Sequence, residues 1–173
     1  MTWVVGATSV FGYGALYSDV QVTFADGNTR DLVQKAYPLS NFIAAGFAGS
    51  VRVGFMLLQS LVDFIRLPDG TLRTHAWDPV WVATQWAPIA RSVFEGAPPS
   101  ERSLGARILM LGASPTENAG LGARMFLCRF ADPWFKPGIM GRFIMSCGIG
   151  SGSGVLEYKR WIKPHIRFMS GIH

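Results

Sequence analysis

Two stretches of helical periodicity lie next to each other in the middle of this chain, and extended segments flank them on both sides. Over residues 51–67, Val53, Met56, Leu57, Ser60, Leu61 and Phe64 recur at helical spacing, and Pro68-Asp69-Gly70 closes the stretch. A second helix is expected from the N-cap Asp78, with Pro79 in its first turn, to Glu95, ahead of Gly96 and Pro98-Pro99. Pro88 falls inside that helix. A proline there has no N–H to donate to the preceding turn, so a kink or a split is expected.

The flanking segments read as strands. Residues 2–8 are apolar and β-branched, and residues 14–23 resume an extended pattern, as a hairpin would. Ala25-Asp26-Gly27-Asn28 supplies the next turn, and residues 31–37 and 41–45 are two more short strands around Pro38. Beyond the helices, residues 107–111 and 124–130 are apolar strands joined through Ser114-Pro115-Thr116-Glu117-Asn118. Residues 142–146 form a further extended segment, and residues 148–154 a Gly/Ser turn that leads into a helix from Val155. Strands, two helices, strands and a helix, grouped in this way, imply stacked sheets with helices outside rather than a βαβ alternation. The expected class is α+β, in a single domain over residues 1–173.

Composition constrains the surroundings of such a domain. Hydrophobic residues make up 49% of the chain and charged residues only 16%, with a mean hydropathy of +0.25. That much apolar surface must be covered by a core, by neighbouring subunits or by a membrane. A membrane helix needs about 20 apolar residues without charges or strong breakers. The uncharged stretches 1–18 and 36–51 are shorter and carry Gly6, Gly12, Gly14, Pro38, Gly46 and Gly49, so no membrane association is expected. Nothing basic precedes Arg30, as a secretory leader would require, and the N-terminus reads as mature structure in a cytoplasmic protein. The formal charge of +5 is scattered, with no basic run interleaved with aromatics, which argues against nucleic acid as a partner. Cys128 and Cys147 are too few for a disulfide framework and read as reduced thiols. His75, His165 and His173 lack ligand spacing; neither a metal nor a cofactor is expected.

The glycine-rich turn 148–154 could offer backbone N–H groups to an anion, yet it lacks the Gly-Lys-Ser/Thr of a P-loop and the acidic partner of a dinucleotide site. Neither Ser151 nor Ser153 is centred in Gly-x-Ser-x-Gly. Asp19 and Lys35, taken alone, would form a surface ion pair worth up to about 1 kcal/mol. Gly46 and Gly49, taken alone, would only permit a tight strand-to-helix turn.

The order of these features carries more than any one of them. Met1-Thr2, Asp19, Lys35, Ala45-Gly46-Phe47-Ala48-Gly49 and Gly150-Ser151-Gly152 follow one another as they do in proteasome β-type subunits, and the chain resembles the bacterial HslV branch in particular. Ser18-Asp19-Val20-Gln21-Val22-Thr23 is similar to that branch's Gly-Asp-Gly-Gln-Ala-Thr. Ile43-Ala44-Ala45-Gly46-Phe47-Ala48-Gly49 is similar to its Ile-Ala-Gly-Phe-Ala-Gly. The strand pair around 107–130, Ala131-Asp132-Pro133 and the turn with its following Gly-Val-Leu-Glu look like the family's second half.

The resemblance implies the four-layer αββα sandwich of N-terminal-nucleophile (Ntn) hydrolases, shortened here at the C-terminus by a helix and a strand. It implies a threonine-type peptidase in which Thr2, exposed by removal of Met1, is the nucleophile and its own α-amine the base. Lys35 would stabilise the developing alkoxide, Asp19 would orient Lys35, the Gly46 N–H would serve the oxyanion, and Ser151 would support the terminal amine. Val22, Val33, Tyr37, Ala44 and Ala48 would line the specificity pocket and favour apolar residues on the acyl side of the cut. The implied partners are a homo-oligomeric ring of six or seven subunits, single or doubled, unfolded peptide substrates, and an ATP-dependent unfoldase. Two alternatives stay open: a catalytically silent ring subunit, and an Ntn amidohydrolase acting on small amides. The departures are Trp3, in place of a small or β-branched residue, one extra residue between Thr2 and Asp19, and an expansion between the first helix and Gly150.

Overall fold

The computed structural model describes residues 3–9, 13–24, 26–115, 124–141 and 145–150. Its elements run β1 (Trp3–Thr8), β2 (Gly14–Ser18), β3 (Gln21–Thr23), β4 (Thr29–Asp31), β5 (Ala36–Pro38), β6 (Ile43–Gly49), α1 (Val51–Ile65), α2 (Pro79–Glu95), α3 (Pro99–Arg102), β7 (Ala106–Ser114), β8 (Arg124–Ala131), β9 (Gly138–Met140) and β10 (Met145–Gly150). The mixed α and β content and the grouping of strands around two central helices are as expected from the sequence.

A five-stranded sheet in the order β5-β6-β7-β8-β9 is antiparallel throughout. Its central strands are apolar on both faces, and their alternation sorts the side chains into two cores. Ala106, Ile108 and Met110 of β7, with Phe126, Cys128 and Phe130 of β8, join the α1 and α2 residues Leu57, Leu61, Val82 and Trp86 in one cluster. Leu109 and Leu111 of β7 and Leu127 of β8 face the other way and meet Val4 of β1 and Ile149 of β10. That second face is covered by a three-stranded antiparallel sheet, β10-β1-β2. Among the described residues the layers are therefore helix, sheet, sheet.

Glycines set the closeness of these layers. A Cβ at Gly6 would lie 2.5 Å from Leu127 Cδ2, and one at Gly46 would lie 2.8 Å from Val4 Cγ1. On the other face, the Phe47 ring occupies the space where a side chain on Gly54 of α1 would go.

Both helix starts have a physical cause. The Ser50 hydroxyl caps α1 by accepting the Val53 N–H at 3.1 Å, and Asp78 caps α2 by accepting the Val80 N–H at 2.9 Å. Helix α1 ends at Ile65 rather than at residue 67, because Arg66 turns extended and bridges to Leu72. Helix α2 is not split at Pro88. The carbonyl that loses its partner there belongs to Thr84, and both Thr84 and Pro88 are exposed, so water can satisfy the freed group.

Several strand boundaries differ from the sequence reading. Residues 14–23 are two strands in different sheets, because the chain leaves β2 at Asp19, whose N–H returns to the Trp3 carbonyl. Residues 31–37 are interrupted where the Leu32 and Val33 N–H groups converge on the single carbonyl of Val20. The third strand of that region runs to Gly49 rather than stopping at Ala45. Gly148, Ile149 and Gly150, expected in a turn, are the last residues of β10 and pair with Val5, Val4 and Trp3. The one-turn α3 and the short β9 had no sequence signal. Residues 142–144, 151–154 and the helix expected from Val155 lie outside the described residues. No helix among those described is long and apolar enough to cross a membrane.

Candidate active site

The head of β1 is the point on which the candidate residues converge. Trp3 and Asp19 are joined by two hydrogen bonds: the Asp19 N–H donates to the Trp3 carbonyl at 3.2 Å, and the side-chain Asp19 Oδ2 accepts the Trp3 N–H at 3.3 Å. The other carboxylate oxygen, Oδ1, lies 2.6 Å from Lys35 Nζ. One carboxylate thus ties Trp3, the first described residue of the chain, to the lysine sixteen positions beyond Asp19.

Lys35 is no surface lysine. Its side chain is 0% exposed and that of Asp19 15%. An ammonium can be held so deep only if it is paired and its protons are engaged. Besides Asp19, Lys35 Nζ donates to the Gln21 carbonyl at the start of β3. The lysine backbone is fixed as firmly, since its carbonyl accepts the Phe47 N–H at 3.0 Å and lies against the position a Gly46 Cβ would take. Gly46 itself faces Val4. The constellation Asp19, Lys35, Gly46 is therefore assembled on the side of β6 that faces β1.

A cleft of about 740 Å³ is lined by Val22 and Thr23 of β3, Ala48 and Gly49 of β6, the start of α1, Glu101, residues 103–107, Asp132 and Gly150; Asp19, Lys35 and Gly46 are not among its lining residues. Val22 and Ala48 of the expected pocket belong to it. Ala44 is on the same row of β6 as Gly46 and Ala48 and is half-buried. Val33 and Tyr37 pack instead against the helix-side core, with the Tyr37 ring 6.0 Å from that of Phe55 and its hydroxyl donating to the Gln34 carbonyl at 2.6 Å. Thr2 and Ser151 lie outside the described residues; their chain neighbours Trp3 and Gly150 stand opposite each other in the β1–β10 ladder.

The cleft also contains residues that sequence spacing did not single out. Buried Ser50 donates to Glu101 Oε2 at 2.5 Å, joining the α1 N-terminus to α3 across 51 positions. Asp132 Oδ1 accepts the Ala106 N–H at 3.0 Å, and Arg107 Nη1 donates to the Gly150 carbonyl at 3.0 Å. Of these, Asp132 alone was marked in the sequence, within Ala131-Asp132-Pro133.

Among the described residues, no group of three or more His, Cys, Asp or Glu side chains is placed to hold a metal ion. Cys128 is fully buried, which pushes its thiol up to about 12, and burial raises Cys147 as well, so neither is poised as a nucleophile. No protein-family model matches this chain, and no curated protein matches it either.

Proposed function

We propose that this chain is a threonine-type peptidase subunit of the Ntn-hydrolase class, with Thr2 as nucleophile once the Met1–Thr2 bond has been cut. The observation that carries the reading is the buried Lys35 ammonium, held by the same Asp19 carboxylate that receives the N–H of Trp3, the residue bonded to Thr2. Burying a lysine is costly, and burying one against the start of the chain is what a nucleophile at that start requires.

In this mechanism the Thr2 α-amine takes the proton of the Thr2 hydroxyl as the oxygen attacks the scissile carbonyl, and the fixed positive charge of Lys35 lowers the energy of the developing alkoxide. The ammonium also disfavours protonation of the nearby amine, keeping it available as a base. Collapse of the tetrahedral adduct breaks the C–N bond, and the leaving amine receives the proton. Water then hydrolyses the Thr2 ester and restores the free enzyme. Ser151 completes the assignment; the Gly46 N–H, expected to serve the oxyanion, points into the β6–β7 ladder opposite Leu109, because the neighbouring Phe47 N–H is turned to the Lys35 carbonyl. Helix, sheet and sheet in that order are three of the four layers of an αββα sandwich, which supports the same class. The apolar composition fits a cytoplasmic ring of six or seven subunits, with unfolded peptides as substrates and an ATP-dependent unfoldase as partner.

The test is the hydrolysis of fluorogenic peptides with apolar residues on the acyl side, together with the mass of the N-terminus. Thr2→Ala should abolish turnover with assembly intact, and a peptide epoxyketone should label Thr2 through both its hydroxyl and its amine. Retained Met1 with no turnover would establish the silent-subunit alternative, while turnover confined to small amides would establish the amidohydrolase.

A further inference from the structure

The cleft lined by Val22, Ala48 and the start of α1 changes character along its length. On β7 the row Leu111, Leu109, Arg107 is apolar between the sheets and becomes cationic at the strand's start, where Arg107 stands opposite Ala48 of β6. Arg52, on the first turn of α1, lines the same cleft, is exposed and makes no hydrogen bond or ion pair with a described residue. Between the lining residues Glu101 and Ser103, Arg102 has a buried Nε without a hydrogen-bond partner.

The two carboxylates of the lining do not compensate these guanidinium groups. Glu101 is engaged by the Ser50 hydroxyl and Asp132 by the Ala106 amide, and neither forms a salt bridge with a described residue. Among the described residues, Arg107 has only the Gly150 carbonyl. Guanidinium groups with unused donors, in a cleft also lined by Val22 and Ala48, are suited to a planar carboxylate.

We propose that Arg52 and Arg107 form a carboxylate subsite, so that the peptide bound in this cleft carries a carboxylate a short distance from an apolar side chain seated on Val22 and Ala48. This inference rests on the peptidase reading for its ligand class. The carboxylate can come from an acidic side chain or from the peptide's own C-terminus, and the subsite chemistry is the same.

Three fluorescein-labelled peptides of equal length and the same apolar residue separate the sources: one with Glu and an amidated end, one with Gln and an amidated end, and one with Gln and a free C-terminal carboxylate. Fluorescence anisotropy with the full-length Thr2→Ala chain measures binding without turnover. At least one carboxylate peptide should bind about tenfold more tightly than the neutral peptide, and the gain should shrink with added salt. Arg52→Gln should remove most of it and Arg52→Lys should restore part, with Arg107→Gln acting in the same direction. Equal binding of all three peptides, binding of none, or a preference that survives the Arg52→Gln/Arg107→Gln double substitution would overturn the subsite. The peptidase reading fails separately: a wild-type chain that shows the carboxylate preference but does not cut loses only its assigned reaction.

Discussion

Asp19 and Lys35 form an ion pair 2.6 Å apart in which the lysine side chain has no exposure to solvent. Removing one partner leaves an uncompensated buried charge. Asp19→Asn is therefore expected to lower the unfolding free energy by about 3 to 5 kcal/mol, far above the value of a surface pair. Replacing both, as Asp19→Leu with Lys35→Met, should recover much of the loss. Urea unfolding of the three proteins checks this, and a cost under about 0.5 kcal/mol for Asp19→Asn would mean that Lys35 is well hydrated in solution.

Ser50 and Glu101 couple the start of α1 to α3. Ser50→Ala removes the cap and leaves Glu101 without its donor, so a loss of about 1 to 2 kcal/mol is expected. The two residues should not act independently: in a cycle with Glu101→Gln, a coupling of roughly 0.5 kcal/mol or more is expected from thermal or urea melts. Additive effects would show that the 2.5 Å contact contributes nothing beyond the cap.

Pro88 interrupts the hydrogen-bond ladder of α2 on its exposed face without ending the helix. Pro88→Ala supplies the missing N–H to Thr84 and should stabilise the protein by about 1 kcal/mol, the helix gain being offset by a more flexible unfolded chain. The same substitution should slow hydrogen exchange around residues 84–92. A destabilised variant would contradict this account of how α2 tolerates its proline.

Cys128 gives the alkaline limit of stability. Burial, with a smaller push from Asp78, raises its thiol from 9.0 to about 12. Above about pH 9 the unfolded chain releases this proton while the folded chain keeps it, so the unfolded state binds fewer protons and stability falls as pH rises, until the folded thiol also ionises near pH 12. Cys128→Ala should flatten that fall relative to the wild type between pH 8 and pH 11, apart from a constant offset for the lost sulfur. A thiol reagent at pH 8 should leave Cys128 unmodified until the protein is unfolded.

The periodicities made α1 and α2 legible, together with the N-cap Asp78, because capping and amphipathic spacing are local properties. The β7–β8 pair was legible for a similar reason, as two apolar runs flanking turn residues. What the sequence reading misplaced depends on long-range contacts. No local rule says that the chain abandons its strand at Asp19 to grip Trp3, or that Val20 accepts from both Leu32 and Val33. At the site, Asp19 and Lys35 were named from a pattern, but the burial that turns them from a weak surface pair into a strained demand on the fold is visible only in three dimensions. Arg52, Glu101 and Arg107 escaped notice because charged residues on a helix turn, a short helix and a strand end are ordinary in sequence.

Gly6 and Gly46 also bear on how such a chain can change over generations. Each faces a branched side chain across the space between the sheets, Leu127 in one case and Val4 in the other, at distances a methyl group cannot fit. A larger residue at Gly6 requires Leu127 to move or become smaller, whereas at Gly46 the Lys35 carbonyl, 3.0 Å from the same position, opposes it whatever stands at residue 4. Descendants of this sequence would then vary at residues 6 and 127 in linked fashion, with volume moving from one sheet to the other, and would keep glycine at residue 46.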